Sequence, residues 1–380
     1  MKIGIDGHSI CNQRSGDESY TLGLIKGLSL IDKNNNYTVY ITNDRALDVL
    51  NYLPNNFRVK IVRPHNRWIR LLFCYPYILL KDNNDIVHFQ YIAPLLFRKT
   101  GLVLTIHDIS YRVFPHYFGF VERVCLRKAT PLMIKRAHKI ITVSQFSKRQ
   151  IIEYYRVNQE KIIVTYNAVG DNFKKIDNNI SMQRIVLNKY GLTKGRYILY
   201  VGTLSRRKNL HLLIQAYKKL PRSLREGYKL VICGKKSRVY SELVSLVKDL
   251  RLEDKVKFTG YVSSEQLPFL YTGSAIFIYP STYEGFGIPA IEAMQTGTPV
   301  VCYAGSSLAE VSGDAAVTLK EITVDSLVQG ITLLLTNPTI RAKLIEKGYK
   351  RVQLFRWENT AQITLSVYEE VFTKIRKQKE

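Results

Sequence analysis

Short apolar runs rich in β-branched and aromatic residues alternate with longer, helix-periodic segments along most of the chain. Most of the short runs are apolar on both faces, which is typical of strands buried in a parallel sheet. Helical periodicity between them is clearest at Glu18–Leu30 and Phe120–Ala137. This alternation predicts a doubly wound α/β sheet. In the first half, the predicted strands are Lys2–Asp6, Tyr37–Thr42, Phe57–Val62, Asp85–Gln90, Leu102–His107, Lys139–Ser144 and Ile162–Tyr166.

The pattern lapses between about residues 171 and 194, where polar residues such as Asp177, Asn178 and Asn179 accompany one weak helix. It then restarts, which predicts two α/β domains, an N-terminal one over residues 1–175 and a C-terminal one over residues 190–360. Ligands of open α/β sheets bind beyond the carboxyl ends of the strands, so the loops after strands are the candidate sites. The predicted strands of the second half are Tyr197–Val201, Lys229–Cys233, Lys255–Thr259, Ala275–Tyr279 and Pro299–Tyr303.

Charge and composition narrow the class of protein. The chain has 56 Lys and Arg against 31 Asp and Glu, a net charge of +25, which favours acidic partners such as nucleotides, polyanions or an anionic membrane face. Five scattered cysteines argue against a disulfide framework and a thiolate zinc site. The longest apolar stretch, Ile69 to Leu80, is shorter than the roughly 18–20 residues that span a bilayer. Together with an N-terminus that lacks a signal peptide's long apolar core, this predicts a cytoplasmic protein.

The loop after the predicted strand Ala275–Tyr279 carries two glutamates around a glycine-rich turn. It runs Glu284-Gly285-Phe286-Gly287-Ile288-Pro289 and continues to Glu292 in the next helix. Backbone N–H groups at Gly285 and Gly287, beside the positive end of that helix, favour binding of an anionic group. Carboxylates accept strong hydrogen bonds from sugar hydroxyls. The alternative is a pair of surface glutamates around an ordinary turn.

The loop after the predicted strand Tyr197–Val201 carries three consecutive cations, Arg206, Arg207 and Lys208, directly before a helix. Adjacent cations repel one another in an empty pocket. A bound anion relieves that repulsion, and a diphosphate has the appropriate size. The alternative is a solvated turn.

Two loops in the first half are weaker candidates. His107 and Asp108 close the strand Leu102–His107, where they serve either acid–base chemistry or a polar contact to a sugar. The alternative is a histidine satisfied by its neighbours. Gly16 lies at a strand–helix junction, which fits close approach of a ligand to the backbone and fits a plain turn equally well.

Together these segments resemble family 4 of the retaining glycosyltransferases. The resemblance extends over nearly the whole chain. It is densest at Tyr200 to Asn209, at Lys257 to Tyr261 and from Glu284 to Glu292, and His107-Asp108 and Val143 to Ser147 also match family positions. The resemblance implies the GT-B fold, an α/β architecture in which two doubly wound Rossmann-like domains face each other across a cleft. It also implies that the C-terminal helix, within residues 360–380, crosses back onto the first domain.

The resemblance implies a role for each candidate residue. A nucleotide-sugar donor is bound mostly by the second domain, where Arg207 and Lys208 neutralise the diphosphate and Glu292 holds the ribose. In the first domain, His107 contacts the transferring sugar beside Asp108, and Gly16 approaches the phosphates. The implied catalytic residues are His107, Arg207, Lys208 and Glu284. The implied donor-binding set adds Gly16, Asp108, Gly285, Phe286, Gly287, Ile288 and Glu292.

Some positions depart from the family pattern. Many relatives have arginine where this chain has Thr203, so we expect neutralisation of the diphosphate to depend more on Arg207 here. Asp17 and Glu18 follow Gly16, where relatives usually have an apolar residue and a small one. These acids either charge the start of the following helix or touch the acceptor.

The sequence contains no Asp-x-Asp pair, so we expect no metal ion and no cofactor beyond a GDP- or UDP-linked sugar donor. The expected reaction is retaining transfer of a hexose, with mannose from GDP-mannose as the first expectation, to a glycan or polyprenyl-linked saccharide in surface polysaccharide or lipopolysaccharide synthesis. The alternative within the class is a glucosyl-, galactosyl- or N-acetylhexosaminyltransferase that uses a UDP-sugar. A non-catalytic protein that binds sugar nucleotides or polyanions is the remote alternative.

A basic, aromatic segment in the first domain suggests a further partner. Between residues 58 and 81 there is no acidic residue, and Trp68, Phe73 and Tyr77 are interleaved with cations. A second basic cluster extends from Arg123 to Arg149. Such segments lie on anionic membranes, so we expect peripheral binding at the inner face of the cytoplasmic membrane. The alternative is a solvated basic face over core aromatics. Nucleic-acid binding is disfavoured because no recognition module is found.

Overall fold

The computed structural model describes residues 1–12, 15–64, 66–94, 100–173 and 180–377. The chain divides into two compact units. The first comprises Met1–Asn167 and Arg356–Glu380, and the second comprises Ala168–Phe355. The predicted ranges were 1–175 and 190–360. The second unit begins earlier than predicted because the helix Ile180–Lys189 belongs to it. The polar residues Asp177, Asn178 and Asn179 lie outside the described residues.

Each strand predicted in the first half is present, and the fold class is confirmed. The strands of the first unit are β1 (Lys2–Asp6), β2 (Asn36–Ile41), β3 (Phe57–Ile61), β4 (Ile86–Gln90), β5 (Gly101–Thr105), β6 (Lys139–Thr142) and β7 (Ile162–Val164). Its helices before the second unit are α1 (Ser15–Ile31), α2 (Ala46–Val49), α3 (Arg67–Ile69), α4 (Tyr75–Asp82), α5 (Ser110–Val113), α6 (Phe120–Arg136) and α7 (Gln145–Tyr155). A π-helical turn at Arg70–Cys74 joins α3 to α4.

The described strands of the first unit form one parallel sheet in the order β3-β2-β1-β4-β5-β6-β7. Ile3 of β1 pairs with Tyr37 on one side and with Ile86 on the other. Every residue of β4 and β5 is buried, as expected for strands covered on both faces. The strand order reverses between β1 and β4, so the carboxyl ends of these two strands flank the crevice where ligands of such sheets bind.

The second unit repeats this architecture. Its strands are β8 (Tyr197–Val201), β9 (Lys229–Cys233), β10 (Val256–Gly260), β11 (Ile276–Tyr279), β12 (Val300–Tyr303) and β13 (Val317–Leu319). Its helices are α8 (Ile180–Lys189), α9 (Leu210–Lys219), α10 (Arg222–Gly227), α11 (Tyr240–Asp249), α12 (Leu267–Gly273), α13 (Ile288–Gln295), α14 (Ser307–Ser312), α15 (Val324–Thr336) and α16 (Pro338–Val352).

The described strands of the second unit are also parallel, in the order β10-β9-β8-β11-β12-β13. The order reverses between β8 and β11, which places the cationic loop and the two-glutamate loop on the two strands that flank the reversal. Strand β13 was not predicted. It is short and only Leu319 is buried, so its sequence lacks the two-sided apolar run that identified the other strands.

The last helix, α17 (Trp357–Lys377), packs on the first unit, against α1 and the sheet. A Cβ at Gly23 of α1 would lie 2.1 Å from Trp357 Cε2, so glycine is required for this close approach. Tyr368 Oη lies 2.7 Å from His88 Nδ1 on β4. Residues 378–380 of the predicted 360–380 segment lie outside the described residues. Among the helices that the structure describes, none combines the length and apolar character needed to cross a bilayer.

Candidate active site

The three cations after β8 have three different environments. They form a short 3₁₀ turn, Arg206–Lys208. Arg206 is exposed and its Nη2 lies 3.0 Å from Glu242 Oε1. Lys208 is buried, with 3% of its surface exposed, and forms an ion pair with Glu284. Two of the three cations therefore already have carboxylate partners, which relieve part of the repulsion that the sequence predicted, and Arg207 is left as the cation best placed to meet a bound anion.

Lys208 joins the two strands at the reversal point. Its Nζ bonds Glu284 Oε1 in the loop after β11, and it donates to Tyr279 Oη at 2.9 Å. The same ammonium lies 4.7 Å from the centre of the Tyr279 ring, within the range of a cation–π contact. Because Tyr279 is the last residue of β11, these contacts fix the cationic turn against the carboxyl end of the neighbouring strand.

Asn209 supports the same junction through its side-chain amide. Its Nδ2 donates to Pro280 O at 2.8 Å and to Thr282 Oγ1 at 2.6 Å. The backbone N–H of Thr282 in turn donates to Arg207 O at 3.0 Å. Arg207 itself is partly exposed, and its Nη1 donates to Tyr283 O at 3.3 Å. The turn and the loop are therefore held in one geometry before any ligand binds.

Glu284 is a buried carboxylate that two cations keep ionised. It is 7% exposed, which rules out the alternative of a surface glutamate on an ordinary turn. Burial raises the pKa of Glu284, but the charges of Lys208 and Arg207 outweigh burial and hold the pKa below its ordinary value. Glu284 therefore carries a negative charge at neutral pH.

The glycine-rich turn is ordered by packing. Gly285, Phe286, Gly287 and Ile288 are all buried, and the Phe286 ring packs edge-on against Phe355 with centroids 5.4 Å apart. Gly287 has φ +100°, and a Cβ there would lie 2.3 Å from Leu308 Cδ2. Glycine is therefore required at this position both for its backbone conformation and for its close contact.

Ser307, which sequence analysis did not identify, holds the turn from the other side. Its Oγ donates to Glu284 O at 2.8 Å and to Phe286 O at 3.0 Å. Ser307 is the first residue of α14, which follows β12 after a short loop. Its position near the carboxyl end of a strand was the available signal in the sequence. Helix α13 begins at Ile288 and has Pro289 in its first turn, where the missing N–H has no helical partner to lose.

Glu292 has partners different from those of Glu284. It lies in the second turn of α13, and its Oε2 accepts a hydrogen bond from Tyr271 Oη at 3.0 Å. Burial raises the pKa of Glu292 to about 7, against the smaller opposing effect of the Tyr271 hydrogen bond. The carboxyl group of Glu292 is therefore protonated at a higher pH than that of Glu284.

The pKa of Glu292 predicts a pH-dependent stability. Because the folded pKa is above the ordinary glutamate value, the folded state retains a proton that the unfolded state releases. The free energy of unfolding of the wild type is therefore expected to fall relative to that of Glu292→Gln as the pH rises from about 5 to about 8. Urea unfolding of both proteins across this range measures the difference. Parallel pH profiles would contradict the assignment.

His107 lies just beyond β5 in a buried polar cluster of the first unit. It is 8% exposed, and its Nε2 is 2.9 Å from Gln90 Oε1 and 3.8 Å from Asp17 Oδ1. The Tyr20 ring packs edge-on against the imidazole, with centroids 4.7 Å apart. Burial lowers the pKa of His107, against the opposing charges of Asp17 and Asp108, so the ring is neutral at pH 7.

Asp108 has a local structural role at the start of α5. Its Oδ1 accepts hydrogen bonds from Ser110 N at 2.9 Å and from Ser110 Oγ at 2.7 Å. The predicted association of His107 with Asp108 is therefore an electrostatic one between neighbours in sequence. The hydrogen bond that orients the imidazole joins Nε2 of His107 to Oε1 of Gln90, at the end of β4.

Gly16 lies in the first turn of α1 and is exposed. A Cβ added to it would meet no atom of the described structure within 4 Å, so packing of the described chain does not require glycine here. Asp17 and Glu18 also lie in this turn, and Glu18 Oε1 accepts a hydrogen bond from Cys11 N at 2.7 Å. Two carboxylates at a helix N-terminus are stabilised by the helix dipole.

A further polar cluster at the end of β1 was missed by sequence analysis. Asp6, the last residue of β1, is 4% exposed and its Oδ2 lies 2.7 Å from His8 Nδ1. Tyr75 Oη donates to Asp6 Oδ1 at 2.9 Å. Burial raises the pKa of Asp6, but the His8 charge and these hydrogen bonds outweigh it and lower the pKa overall. An acidic residue ending the first strand was the available signal.

The structure thus brings Arg207, Lys208 and Glu284 together at one end of the second sheet, and places Asp17 near His107 in the first unit. In the part of the chain that the structure describes, no three His, Cys, Asp or Glu side chains cluster as metal ligands would. The second unit therefore offers a cationic edge next to a buried carboxylate and hydroxyl groups, an arrangement that favours a polyhydroxylated anion.

Comparisons with known proteins identify the family. A profile described as glycosyltransferase family 4 matches residues 15–173, and one described as glycosyl transferases group 1 matches residues 183–351. The chain is 34% identical to O-antigen chain mannosyltransferase B of Escherichia coli over 76% of its own length and 75% of the relative's. The chain belongs to glycosyltransferase family 4. This glycosyltransferase is also 33% identical to the O-antigen chain mannosyltransferase RfbU of Salmonella typhimurium, over 67% of each chain.

The fold of this glycosyltransferase is shared with solved structures. Anabaena Alr3699/HepE, crystallised in complex with UDP-glucose, superimposes with a TM-score of 0.77 over 97% of this chain and 100% of that one, at 20% sequence identity. The two parallel sheets are those of the GT-B class. At this level of identity the similarity extends to the fold alone.

Proposed function

We propose that the protein is a retaining, metal-independent hexosyltransferase that transfers mannose from GDP-mannose to a glycan or polyprenyl-linked saccharide in surface polysaccharide synthesis. The observation that carries the proposal is the placement of Arg207, Lys208 and buried Glu284 where the strand order reverses between β8 and β11. Two relatives named as O-antigen chain mannosyltransferases support mannose and the polysaccharide pathway.

The two cations have separate tasks in this proposal. Arg207 is the more exposed of the two, so its guanidinium meets the donor diphosphate, which it can bind through two parallel hydrogen bonds. Lys208 is buried against Glu284 and keeps that carboxylate ionised and in position. The N-terminus of α13 adds a positive dipole end near the same loop. Together these groups stabilise the negative charge that develops on the leaving nucleoside diphosphate.

The two glutamates bind hydroxyl groups of the donor. Glu284, ionised at neutral pH, accepts hydrogen bonds from the sugar, and the backbone from Gly285 to Ile288 contacts the sugar and phosphates. Glu292 accepts from the ribose hydroxyls. Because its pKa is about 7, ribose binding strengthens as the pH rises through neutrality and the carboxylate forms.

The first unit supplies His107, Asp108 and Gly16 to the donor. With Nε2–H donating to Gln90 Oε1, the neutral imidazole presents Nδ1 as an acceptor for a sugar hydroxyl. Gln90 thereby selects the tautomer. The absence of any steric need for glycine at position 16 in the described structure fits a phosphate approaching the backbone there.

The proposed reaction takes place on one face of the donor sugar. The acceptor hydroxyl oxygen forms a bond to the anomeric carbon as the bond from that carbon to the phosphate oxygen breaks, through an oxocarbenium-like transition state. Attack occurs on the face that the leaving group departs from, so the configuration is retained. The leaving phosphate oxygen accepts the proton of the acceptor hydroxyl, and no separate base is needed. Cations of the chain neutralise the diphosphate, so no divalent ion is required.

A UDP-sugar is the second candidate donor. The cation and glutamate roles derived above apply equally to either base, since they concern the diphosphate, ribose and sugar.

The donor is tested by calorimetric titration of GDP-mannose, UDP-glucose, UDP-galactose and UDP-N-acetylglucosamine into the protein. The preferred donor is then incubated with lipid-linked saccharides, and the anomeric configuration of the product is assigned by NMR. We expect GDP-mannose to bind most tightly, an α-linked product, and unchanged rates in EDTA. An inverted anomeric centre would exclude the retaining mechanism, and loss of activity in EDTA would exclude metal independence. Preference for a UDP-sugar would select the second candidate.

A further inference from the structure

The helical segment 67–82, which comprises α3, the π turn and α4, is apolar on two opposite faces. Its inner face is buried: Tyr75 and Leu79 belong to the hydrophobic core of the first unit. Its outer face is also apolar, and Phe73, Tyr77 and Leu80 are 68%, 68% and 78% exposed. The other large apolar side chains exposed on this segment are Trp68, Ile69 and Leu72.

A helix on the surface of a globular protein normally has polar residues on its outer face. Single exposed apolar residues are common, but a contiguous group of this kind marks an interaction surface. Tyr77 and Leu80 lie three residues apart on one side of α4, and Phe73 precedes them in the π turn. The outer face therefore has the character of an interaction surface.

Cations border this face. Arg67 lies over the Trp68 ring, 5.8 Å from its centre, and Lys81 is exposed at the other end of the segment. The sequence has no acidic residue from Arg58 to Lys81, and the first one afterwards, Asp82, forms an ion pair with Lys60.

Helix α6 also carries an exposed aromatic side chain and exposed cations. Its residues Leu126, Met133 and Ile134 belong to the core cluster that also contains Tyr75 and Leu79, so α4 and α6 cover the same face of the first sheet. Phe120 of α6 is 72% exposed and lies beneath Arg123, 5.6 Å from the guanidinium to the ring centre. Further exposed cations on this helix are Arg127, Lys128 and Lys135.

We propose that the outer face of segment 67–82, helped by the cations of α6, docks the first unit on an anionic lipid bilayer. Aromatic and aliphatic side chains enter the interface between headgroups and acyl chains, where tryptophan and tyrosine are enriched, and the cations attract anionic headgroups. The attraction grows with the number of Lys and Arg side chains near the surface. Charge complementarity favours a bilayer over a second copy of this strongly cationic chain, since two such faces repel each other.

The first test is flotation with lipid vesicles. The full chain is mixed with vesicles of phosphatidylglycerol in phosphatidylcholine or of phosphatidylcholine alone. We expect binding to the anionic vesicles that weakens with added salt. The double variant Phe73→Ser/Tyr77→Ser, which leaves the net charge unchanged, is expected to bind roughly tenfold or more weakly. The matched control is Ile180→Ser/Ile185→Ser on α8 of the second unit, where both isoleucines are also exposed. The control is expected to bind as the wild type does.

The second test locates the contact. Tryptophan fluorescence is measured with anionic vesicles that contain brominated acyl chains, which quench buried tryptophan. We expect quenching in the wild type and its loss in Trp68→Phe, which leaves Trp357 as the remaining tryptophan. Circular dichroism and calorimetric titration with the nucleotide check that each variant folds and binds its donor. These controls separate failure of docking from failure of the proposed reaction.

Three outcomes would overturn the proposal. They are no vesicle binding by the wild type at low salt, equal binding by wild type and Phe73→Ser/Tyr77→Ser, and quenching that persists in Trp68→Phe. Sedimentation velocity tests the alternative occupant of this face, a second copy of the chain. If the wild type is a dimer, the serine variant is a monomer and neither binds vesicles, the face pairs two copies of the chain and the bilayer assignment is wrong.

Discussion

Replacing Arg207 with alanine is expected to lower kcat/KM for glycosyl transfer by about 10²–10³-fold while leaving the protein folded. The guanidinium is partly exposed at the carboxyl end of β8, and in this account it stabilises the charge on the departing diphosphate. Its hydrogen bond to Tyr283 O contributes only about 1 kcal/mol to stability. Initial rates over a range of donor concentrations, with urea unfolding of the same samples, separate the two effects.

The matched control is Arg206→Ala, in the preceding residue of the same turn. Arg206 is exposed and pairs with Glu242 on the surface, so its removal takes away the same charge without touching Glu284. We expect it to retain most of the wild-type activity. If Arg206→Ala and Arg207→Ala lose activity to the same degree, the effect is one of general charge and the specific role of Arg207 is wrong.

Removing either partner of the Lys208–Glu284 pair is expected to lower the free energy of unfolding by about 3–5 kcal/mol. Both side chains are buried, so Lys208→Met removes the ammonium that pairs with the carboxylate, and Glu284→Gln removes the negative charge that pairs with the ammonium. The double variant should lose less than the sum of the two single losses, by about 1–3 kcal/mol. Urea unfolding of the four proteins at neutral pH provides the cycle.

The pH dependence of this cycle identifies its cause. Because the pairing lowers the pKa of Glu284, its stabilisation is present above the ordinary glutamate pKa and is lost as the pH falls. The loss of unfolding free energy caused by Lys208→Met is therefore expected to be smaller at acidic pH, where the carboxylate of Glu284 becomes protonated. The exposed pair Lys219–Asp325 is the control, since such pairs contribute about 0–1 kcal/mol. If Lys208→Met and Lys219→Met lower the free energy of unfolding equally, the assignment of Lys208 and Glu284 as a stabilising buried pair is wrong.

The fold was accessible from the sequence because parallel strands covered on both faces leave a strong signal. Runs such as Ile276–Tyr279 and Tyr197–Val201 consist of aliphatic and aromatic residues throughout, and the structure buries all of them except the partly exposed Val201. Strand β13 was not accessible, since an edge strand with one buried residue resembles a loop. The join between the units was predicted near residues 171–194, whereas the units divide between Asn167 and Ala168, and the helix Ile180–Lys189 packs with the second unit.

The candidate site was accessible only in part. The residue types at strand ends identified the loops of Arg207 and Glu284, but a sequence does not show which side chain pairs with which. The Lys208–Glu284 ion pair joins residues 76 positions apart and depends on β8 lying next to β11. For the same reason, sequence neighbours suggested Asp108 as the partner of His107, whereas Gln90, from the adjacent strand, forms the hydrogen bond.

Calorimetric titration of GDP and UDP into wild type, Arg207→Ala and Arg206→Ala tests the central claim most directly, since that claim is recognition of a nucleoside diphosphate at the end of β8. We predict that the nucleotide preferred by the wild type binds Arg206→Ala with unchanged affinity and binds Arg207→Ala about tenfold or more weakly. The corresponding monophosphate should show a much smaller difference between the variants. Equal diphosphate affinity in all three proteins would contradict the account.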